Sequence, residues 1–351
     1  MRPPIHRAPV VRRICRVVAW VAGLLVVAYS ATGSANALEL GLPLDCTPGT
    51  DCWVVNYVDI DPGPAARDSA CGARTYNGHD GTDFAIRDLE VMAKGVAARA
   101  AAAGRVTAVR DGMLDVDVSA TGRDAVKGKE CGNGVTIDHG EGWETQYCHM
   151  RRGSIAVKRG QRVTAGETLG LVGLSGLTEF PHMHLTVRKD GKARDPFTGR
   201  AQDGACGIGP DGLGPSPLWN GTFMRTLVYD PVVLFNAGIT AAEPTRETLR
   251  NGTERRSSLP PDAPMIVVWV EAFGIEPGDE LMLRIVAPDG VTLAETARRF
   301  DARRTYQFVY AGKRRETDAW PLGTYRGEAV LTRKGGAVPL DRRIETAIEL
   351  R

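Results

Sequence analysis

Between Trp53 and Pro196, short strand-like runs alternate with glycine-centred turns: Val135-Thr-Ile-Asp, Trp143 to Tyr147, Val157, Val163, Leu169 to Val172 and His184 to Arg188. Brief runs of β-branched and aromatic residues bounded by such turns are the pattern of antiparallel hairpins. With 41 Gly and 21 Pro in 351 residues and few long helical patterns, the expected class is all-β. One stretch scores otherwise. Leu89 to Ala103 is Ala-rich and helical on propensity, although Gly95 and the β-branched Val91 and Val96 weaken it. Residues 111–132 read as a charged, glycine-containing loop or hairpin insertion, and a Gly/Pro-rich segment from 199 to 217 closes the region.

Beyond Tyr229 the runs lengthen. Leu281, Leu283 and Ile285 alternate with Met282 and Arg284, and Tyr306, Phe308 and Tyr310 alternate with Gln307 and Val309; Tyr325, Ala329 and Leu331 share one parity. This period of two predicts strands near 232–240, 265–273, 280–286, 292–299, 305–311, 324–333 and 342–349, the signature of an immunoglobulin- or fibronectin-like β-sandwich. Its aromatics, Trp269, Tyr306, Phe308 and Tyr310, are expected in the core. The length accommodates two such domains, taken as 38–220 and 230–351, after a leader of 1–37.

The leader follows from charge and hydropathy. Arg2, Arg7, Arg12, Arg13 and Arg16, with no acid, precede an apolar run from Val17 to Tyr29 and the small-residue ending Ala35-Asn36-Ala37. This is the layout of a secretory signal peptide cut after Ala37. The apolar run is short for a bilayer of roughly 30 Å, which disfavours an uncleaved anchor. Losing those five arginines turns a formal charge of +2 into −3, and neither value is the footprint of a nucleic-acid binder. The expected compartment is the periplasm or cell envelope rather than the external medium, with no stable membrane span after cleavage.

Cys15 leaves with the leader, so Cys46, Cys52, Cys71, Cys131, Cys148 and Cys206 remain. An even set without C-x-x-C spacing in an exported chain reads as disulfides. Cys46 and Cys52 flank the turn Thr47-Pro48-Gly49-Thr50. Cys131 and Cys148 lie on the arms of a hairpin that turns near His139 to Gly142. Cys71 is then left with Cys206, one of several pairings the spacing allows.

Five histidines fall between positions 79 and 184. No H-E-x-x-H or P-loop occurs there, and Gly173-Leu-Ser-Gly-Leu fails G-x-S-x-G at its last position, which excludes the commonest serine and zinc hydrolase signatures. His79 and Asp83 stand four apart in Tyr76-Asn-Gly-His-Asp-Gly-Thr-Asp. His182 and His184, in Phe180-Pro-His-Met-His, point to one side of a strand. Catalytic zinc takes three His or carboxylate ligands and keeps one position for water; the first motif supplies two and the second a third. His149, in Tyr147-Cys-His-Met, adds an imidazole for proton transfer or oxyanion stabilisation. His139 sits at the hairpin turn and reads as structural.

These motifs resemble peptidase family M23, the lysostaphin-type or LytM-like zinc metallopeptidases, with H-x-x-x-D, a later Y-x-H, and H-x-H preceded by Pro. The likeness is dense from Gly78 to Pro196, through Gly132-Asn-Gly-Val-Thr-Ile-Asp-His-Gly and Val157 to Gly170. It implies zinc on His79, Asp83 and His184, catalytic roles for His149 and His182, and an open antiparallel sheet with the metal in a groove. It also implies that Leu89 to Ala103 is loop and strand, with strands at Val96–Ala98 and Arg105–Thr107. The implied activity is hydrolysis of peptide bonds in peptidoglycan stems or cross-links. The alternatives are a non-catalytic peptidoglycan-binding or amidase-activating module, or a C-terminal sandwich that docks to wall or protein. Two departures bear on substrate choice: Leu177-Thr-Glu-Phe180 where the family has a Ser/Thr-Gly turn, and the 111–132 insertion.

Overall fold

A computed structural model of the chain describes residues 38–209, 211–335 and 339–351, together with Met1 and Pro4. The expected signal peptide otherwise lies outside the described residues. Among these, no helix is long and apolar enough to cross a membrane.

The first half folds into strands β1 (Cys52–Asn56), β2 (Thr82–Ile86), β3 (Ala97–Arg99), β4 (Gly104–Arg110), β5 (Asn133–Gly140), β6 (Trp143–Met150), β7 (Arg162–Val163), β8 (Thr168–Leu171), β9 (His182–Lys189) and β10 (Lys192–Arg194). They form an antiparallel sheet in the order β1-β2-β9-β6-β5-β4-β7, with β10 on β9 and a separate β3-β8 pair. Alternation along β9 explains its two faces. Met183, Leu185 and Val187 enter an apolar core with Phe84, Tyr147, Met150 and Trp219, so His182 and His184 project from the opposite face. Three disulfides staple this half: Cys46–Cys52, Cys71–Cys206 and Cys131–Cys148, the pairing favoured from sequence.

Two local expectations are corrected. Leu89 to Ala103 is not loop and strand alone, because Leu89–Lys94 forms helix α1 before β3 begins. Asp88 caps it by accepting from the Val91 amide at 2.9 Å, and Gly95 at φ +95° ends it, so local capping outweighs the β-branched residues. Residues 111–132 are no hairpin: they hold helix α2 (Val118–Thr121) and a 3₁₀ turn (Arg123–Val126).

The second half contains β11 (Val233–Thr240), helix α3 (Arg246–Asn251), β12 (Ser258–Leu259), β13 (Met265–Ile275), β14 (Glu280–Val286), β15 (Thr292–Arg299), β16 (Arg304–Arg314), β17 (Gly323–Arg333) and β18 (Leu340–Leu350). Seven of these strands lie where the alternation places them. They form two sheets, β11-β13-β16 and β12-β18-β17-β14-β15, which share one core containing Val268, Val270, Leu281, Leu283, Tyr325 and Leu331. The aromatic expectation holds for Trp269 alone among its four residues. On β16 the inward parity belongs to Val309 and Ala311, which leaves Tyr306 and Phe308 half-buried and Tyr310 exposed.

Residues Ala37–Arg351 are one compact unit. A third cluster joins its halves: Trp53, Val55 and Ala85 of the first sheet pack with Val233, Phe235 and Phe273, and Phe180 and Tyr306 lean against them.

Candidate metal centre

Strand register assembles the site. β2 lies beside β9 with Asp83 directly opposite His184, β9 lies beside β6 with His184 opposite Cys148, and Asn56 on β1 stands opposite Asp83. Three side chains distant in sequence thus meet on one face of neighbouring strands. His149 follows Cys148 in a left-handed conformation, φ +61°, and its amide donates to the Cys131 carbonyl at 2.8 Å. Gly81, between His79 and Asp83, is required by close approach. A Cβ there would fall 2.5 Å from Nε2 of His184, so any larger residue would push that ring away.

The donor atoms converge. His79 Nε2 lies 3.1 Å from Asp83 Oδ1 and 3.1 Å from His184 Nδ1, and His184 Nδ1 lies 2.8 Å from Asp83 Oδ1. Hydrogen bonds on the far sides of the rings set the tautomers. Nδ1 of His79 donates to the Tyr57 carbonyl at 2.7 Å, which leaves Nε2 bare. His184 is reversed: its Nε2 faces Asp80 Oδ1 at 3.2 Å and Thr186 Oγ1 at 3.0 Å, leaving Nδ1 toward the centre. Asp83 presents Oδ1 while Oδ2 accepts from Asn56 Nδ2 at 2.8 Å.

Electrostatics then select what fits. Burial alone would raise the Asp83 carboxyl, but the imidazoles of His79, His182 and His184 outweigh it and hold it well below the usual carboxylate range. Burial would lower His184, yet its hydrogen bonds to Asp80 and Asp83 lift it to about 9. The proton that His184 holds at neutral pH supplies the positive charge the buried Asp83 anion demands; a cation displacing that proton would meet two converging imidazole nitrogens and the carboxylate. The donor set of two His nitrogens and one carboxylate oxygen fits zinc.

His149 and His182 complete the five histidine and aspartate positions expected from sequence; all five are between 2% and 8% exposed. Nδ1 of His149 donates to the Ser175 carbonyl at 2.8 Å, and Nδ1 of His182 to the Phe180 carbonyl at 2.9 Å. Each therefore turns Nε2 away from its anchor. His182 Nε2 lies 3.4 Å from Asp83 Oδ1, and the two rings stand 4.7 Å apart. Burial, reinforced by His182 and His184, pushes His149 well below the ordinary imidazole range. His139 is apart from this group; it bonds the Ala103 carbonyl and Thr145, in keeping with a structural role.

Sequence reasoning passed over several supports. Asp80 sits inside the quoted H-x-x-x-D motif, and its position beside two motif residues was the available signal. Asn56 and Ser175 carry no local pattern. The departure at Phe180 proves central: its ring stacks on His182 at 4.6 Å and packs on Phe273 at 5.4 Å, so the second half of the chain braces the site. Glu179 pairs with Arg246 at 2.9 Å across the same junction.

Two cavities adjoin the centre. One, of about 670 Å³, is bordered by Asn56, Asp83 and His182 on one side and by Phe235, Glu271, Phe273 and Tyr306 on the other. Another, of about 360 Å³, runs past His79, His149 and His184. Tyr76, Arg123 and Leu177 border both.

Residues 77–196 match the family model described as peptidase family M23. Over 56 residues the chain is 41% identical to the peptidoglycan DD-endopeptidase ShyA of Vibrio cholerae, covering 16% of this chain and 13% of that protein. Over 73 residues it is 40% identical to the cell division protein DipM of Caulobacter vibrioides, covering 20% of this chain and 12% of that one. A solved structure of a putative peptidase M23 from Pseudomonas aeruginosa aligns at 27% identity over 44% of this chain and 51% of that one, with a TM-score of 0.25. The chain thus matches about an eighth of the length of these curated relatives.

Proposed function

We propose, from the premise that residues 77–196 belong to peptidase family M23, that the protein is an exported zinc metalloendopeptidase that hydrolyses peptide bonds in peptidoglycan stems or cross-links. The peptidase domain is taken as 38–220, with 230–351 as a second, sandwich domain. The observation that carries this reading is the convergence of His79, Asp83 and His184 within 3.1 Å of one another, beside two further anchored imidazoles.

His79, Asp83 and His184 would hold the metal. A zinc ion held there would supply Lewis-acid chemistry, activating water near neutral pH and polarising the scissile carbonyl. No glutamate occupies a base position among the site residues, so the histidines divide the proton chemistry. His149 has Nδ1 committed to Ser175 and offers Nε2 as the proton acceptor. His182 also has Nδ1 committed to Phe180 and Nε2 directed past Asp83, so it donates to the developing oxyanion only as an imidazolium, after Nε2 has taken up a proton. Asn56 and Asp80 hold the ligands Asp83 and His184 in orientation.

Export is supported by the three disulfides, which persist in oxidising compartments. The test is a digest of purified muropeptides by the zinc-loaded protein, with products identified by mass spectrometry. Cleavage is expected, and its loss on chelation and in His79→Ala and His149→Ala. Tight peptidoglycan binding with no cleavage in zinc-replete buffer would overturn this in favour of a binding module.

A further inference from the structure

The larger cavity opens at His182 and Asp83, and its other side is contributed by the β11-β13-β16 sheet. A peptide lying across the metal centre can send one arm into it. What that arm carries follows from which charges in the lining are already compensated.

Most are. Arg246 is paired with Glu179, Arg250 with Asp117, and Arg303 with Glu276. Of the lining acids, Asp83 belongs to the imidazole cluster and Asp88 is paired with Arg255. Glu271 accepts from Asn236 at 2.6 Å and from the Tyr306 hydroxyl at 2.5 Å. Arg87 makes no ion pair among the described residues but donates to the Thr50 carbonyl at 3.1 Å and lies over the Trp53 ring. Two guanidiniums remain. Arg123, on the 3₁₀ turn of the 111–132 segment, and Arg304, at the start of β16, line the cavity and make no ion pair or side-chain hydrogen bond among the described residues. They come from opposite halves of the chain. The same cavity has an apolar wall that includes Phe180 and Phe273. Both residues are exposed, and a guanidinium is the side chain best shaped for bidentate capture of a carboxylate.

We propose that this cavity is the subsite for the carboxylate-bearing side of the scissile bond, and that Arg123 and Arg304 select a peptide with a free carboxylate over its neutral amide. The second half of the chain then supplies substrate specificity as well as bracing. This rests on the peptidase reading above, and the test separates the two.

Two synthetic stem peptides that differ only in one side-chain carboxylate or carboxamide are offered to the zinc-loaded full chain. The acid form is expected to be cleaved with a kcat/KM about tenfold or more higher, as for a hydrogen-bonded charged group. Arg123→Gln and Arg304→Gln should each collapse that ratio toward one, through KM. Arg314→Gln, on the same strand but paired with Glu243 outside the cavity, should keep it. The same two peptides are also titrated onto zinc-loaded His149→Ala and read by calorimetry. A preference in binding that Arg123→Gln or Arg304→Gln removes sustains the subsite even if the wild type cuts neither peptide, a result that would instead sink the peptidase reading. Equal affinity for acid and amide, or a preference that survives both substitutions, overturns the proposal.

Discussion

The two halves of the chain solve opposite problems. The second half folds by alternation alone: Leu281, Leu283 and Ile285 of β14 are wholly buried beside Tyr325 and Leu331 of β17, and residues 230–351 contain no His or Cys. The first half places four imidazoles and a carboxylate under cover on one face of its sheet, where each unmet polar atom would cost about 1–3 kcal/mol. It meets that cost with carbonyl anchors at Tyr57, Ser175 and Phe180, and it holds all three disulfides. Stability in one half comes from apolar burial; in the other, part of the structure's stability is committed to holding a polar site in place.

Substitution should break the two halves in different ways. His79→Ala is expected to abolish zinc binding and lower kcat/KM by more than the roughly 10³-fold that loss of one oxyanion donor costs, while the melting temperature of the metal-free protein moves little. Leu283→Ala should do the reverse, destabilising by about 2–5 kcal/mol with kcat per folded molecule intact. Elemental analysis, calorimetry and active-site titration on both variants check the contrast. A His79→Ala protein that retains zinc and turnover would defeat it.

The staples come next in size. Cys71–Cys206 closes a separation of 135 residues, against 17 for Cys131–Cys148 and 6 for Cys46–Cys52. Chain entropy makes the longest closure the most stabilising. The Cys71→Ser/Cys206→Ser variant is expected to lose about 2–5 kcal/mol in denaturant unfolding, more than either other double variant.

How much of this was legible beforehand depended on whether the cause is local. The H-x-x-x-D and H-x-H spacings cover four of the five histidine and aspartate positions and Tyr147-Cys-His149 the fifth, and a strand's period of two puts His182 and His184 on one face. The strands of the second half were legible for the same reason. Asn56 was not, since its contact with Asp83 arises from strand register across 27 residues. The parity of β16 was misjudged because Tyr306, Phe308 and Tyr310 are as apolar as Val309 and Ala311; only the neighbouring sheet decides which set turns inward. Helix α1 was lost when the resemblance was preferred over the helical propensity of Leu89 to Ala103; the Asp88 cap on the Val91 amide went unread.

Glu271 is the point where the second half behaves like the first. Burial raises its carboxyl from an ordinary 4.5 to about 7, with Tyr306 and Asn236 pulling the other way. A group whose folded value is raised favours the folded state fully below about pH 4.5, and that contribution drains away as pH climbs to about 7. The difference in unfolding free energy between wild type and Glu271→Gln should therefore change between pH 4.5 and 7, by about 2–3 kcal/mol, and stay level above. A flat difference across that window would show that Glu271 does not titrate there.

The smallest effect tests whether the polar site depends on its supports as closely as the comparison requires. Asn56 is not one of the three metal-holding residues; its amide holds Asp83 Oδ2 at 2.8 Å so that Oδ1 faces the two histidines. Asn56→Ala leaves that oxygen buried without its donor and frees the carboxylate to rotate. Outer-shell partners of this kind are worth about 10–100-fold in metal affinity, so a competitive zinc titration should show a loss in that range while near-native unfolding persists. Asn56→Asp should be worse than Ala, because a second carboxylate 27 residues upstream in sequence but opposite Asp83 in the sheet repels the first. An Asn56→Ala protein with unchanged zinc affinity would mean that strand register alone orients Asp83.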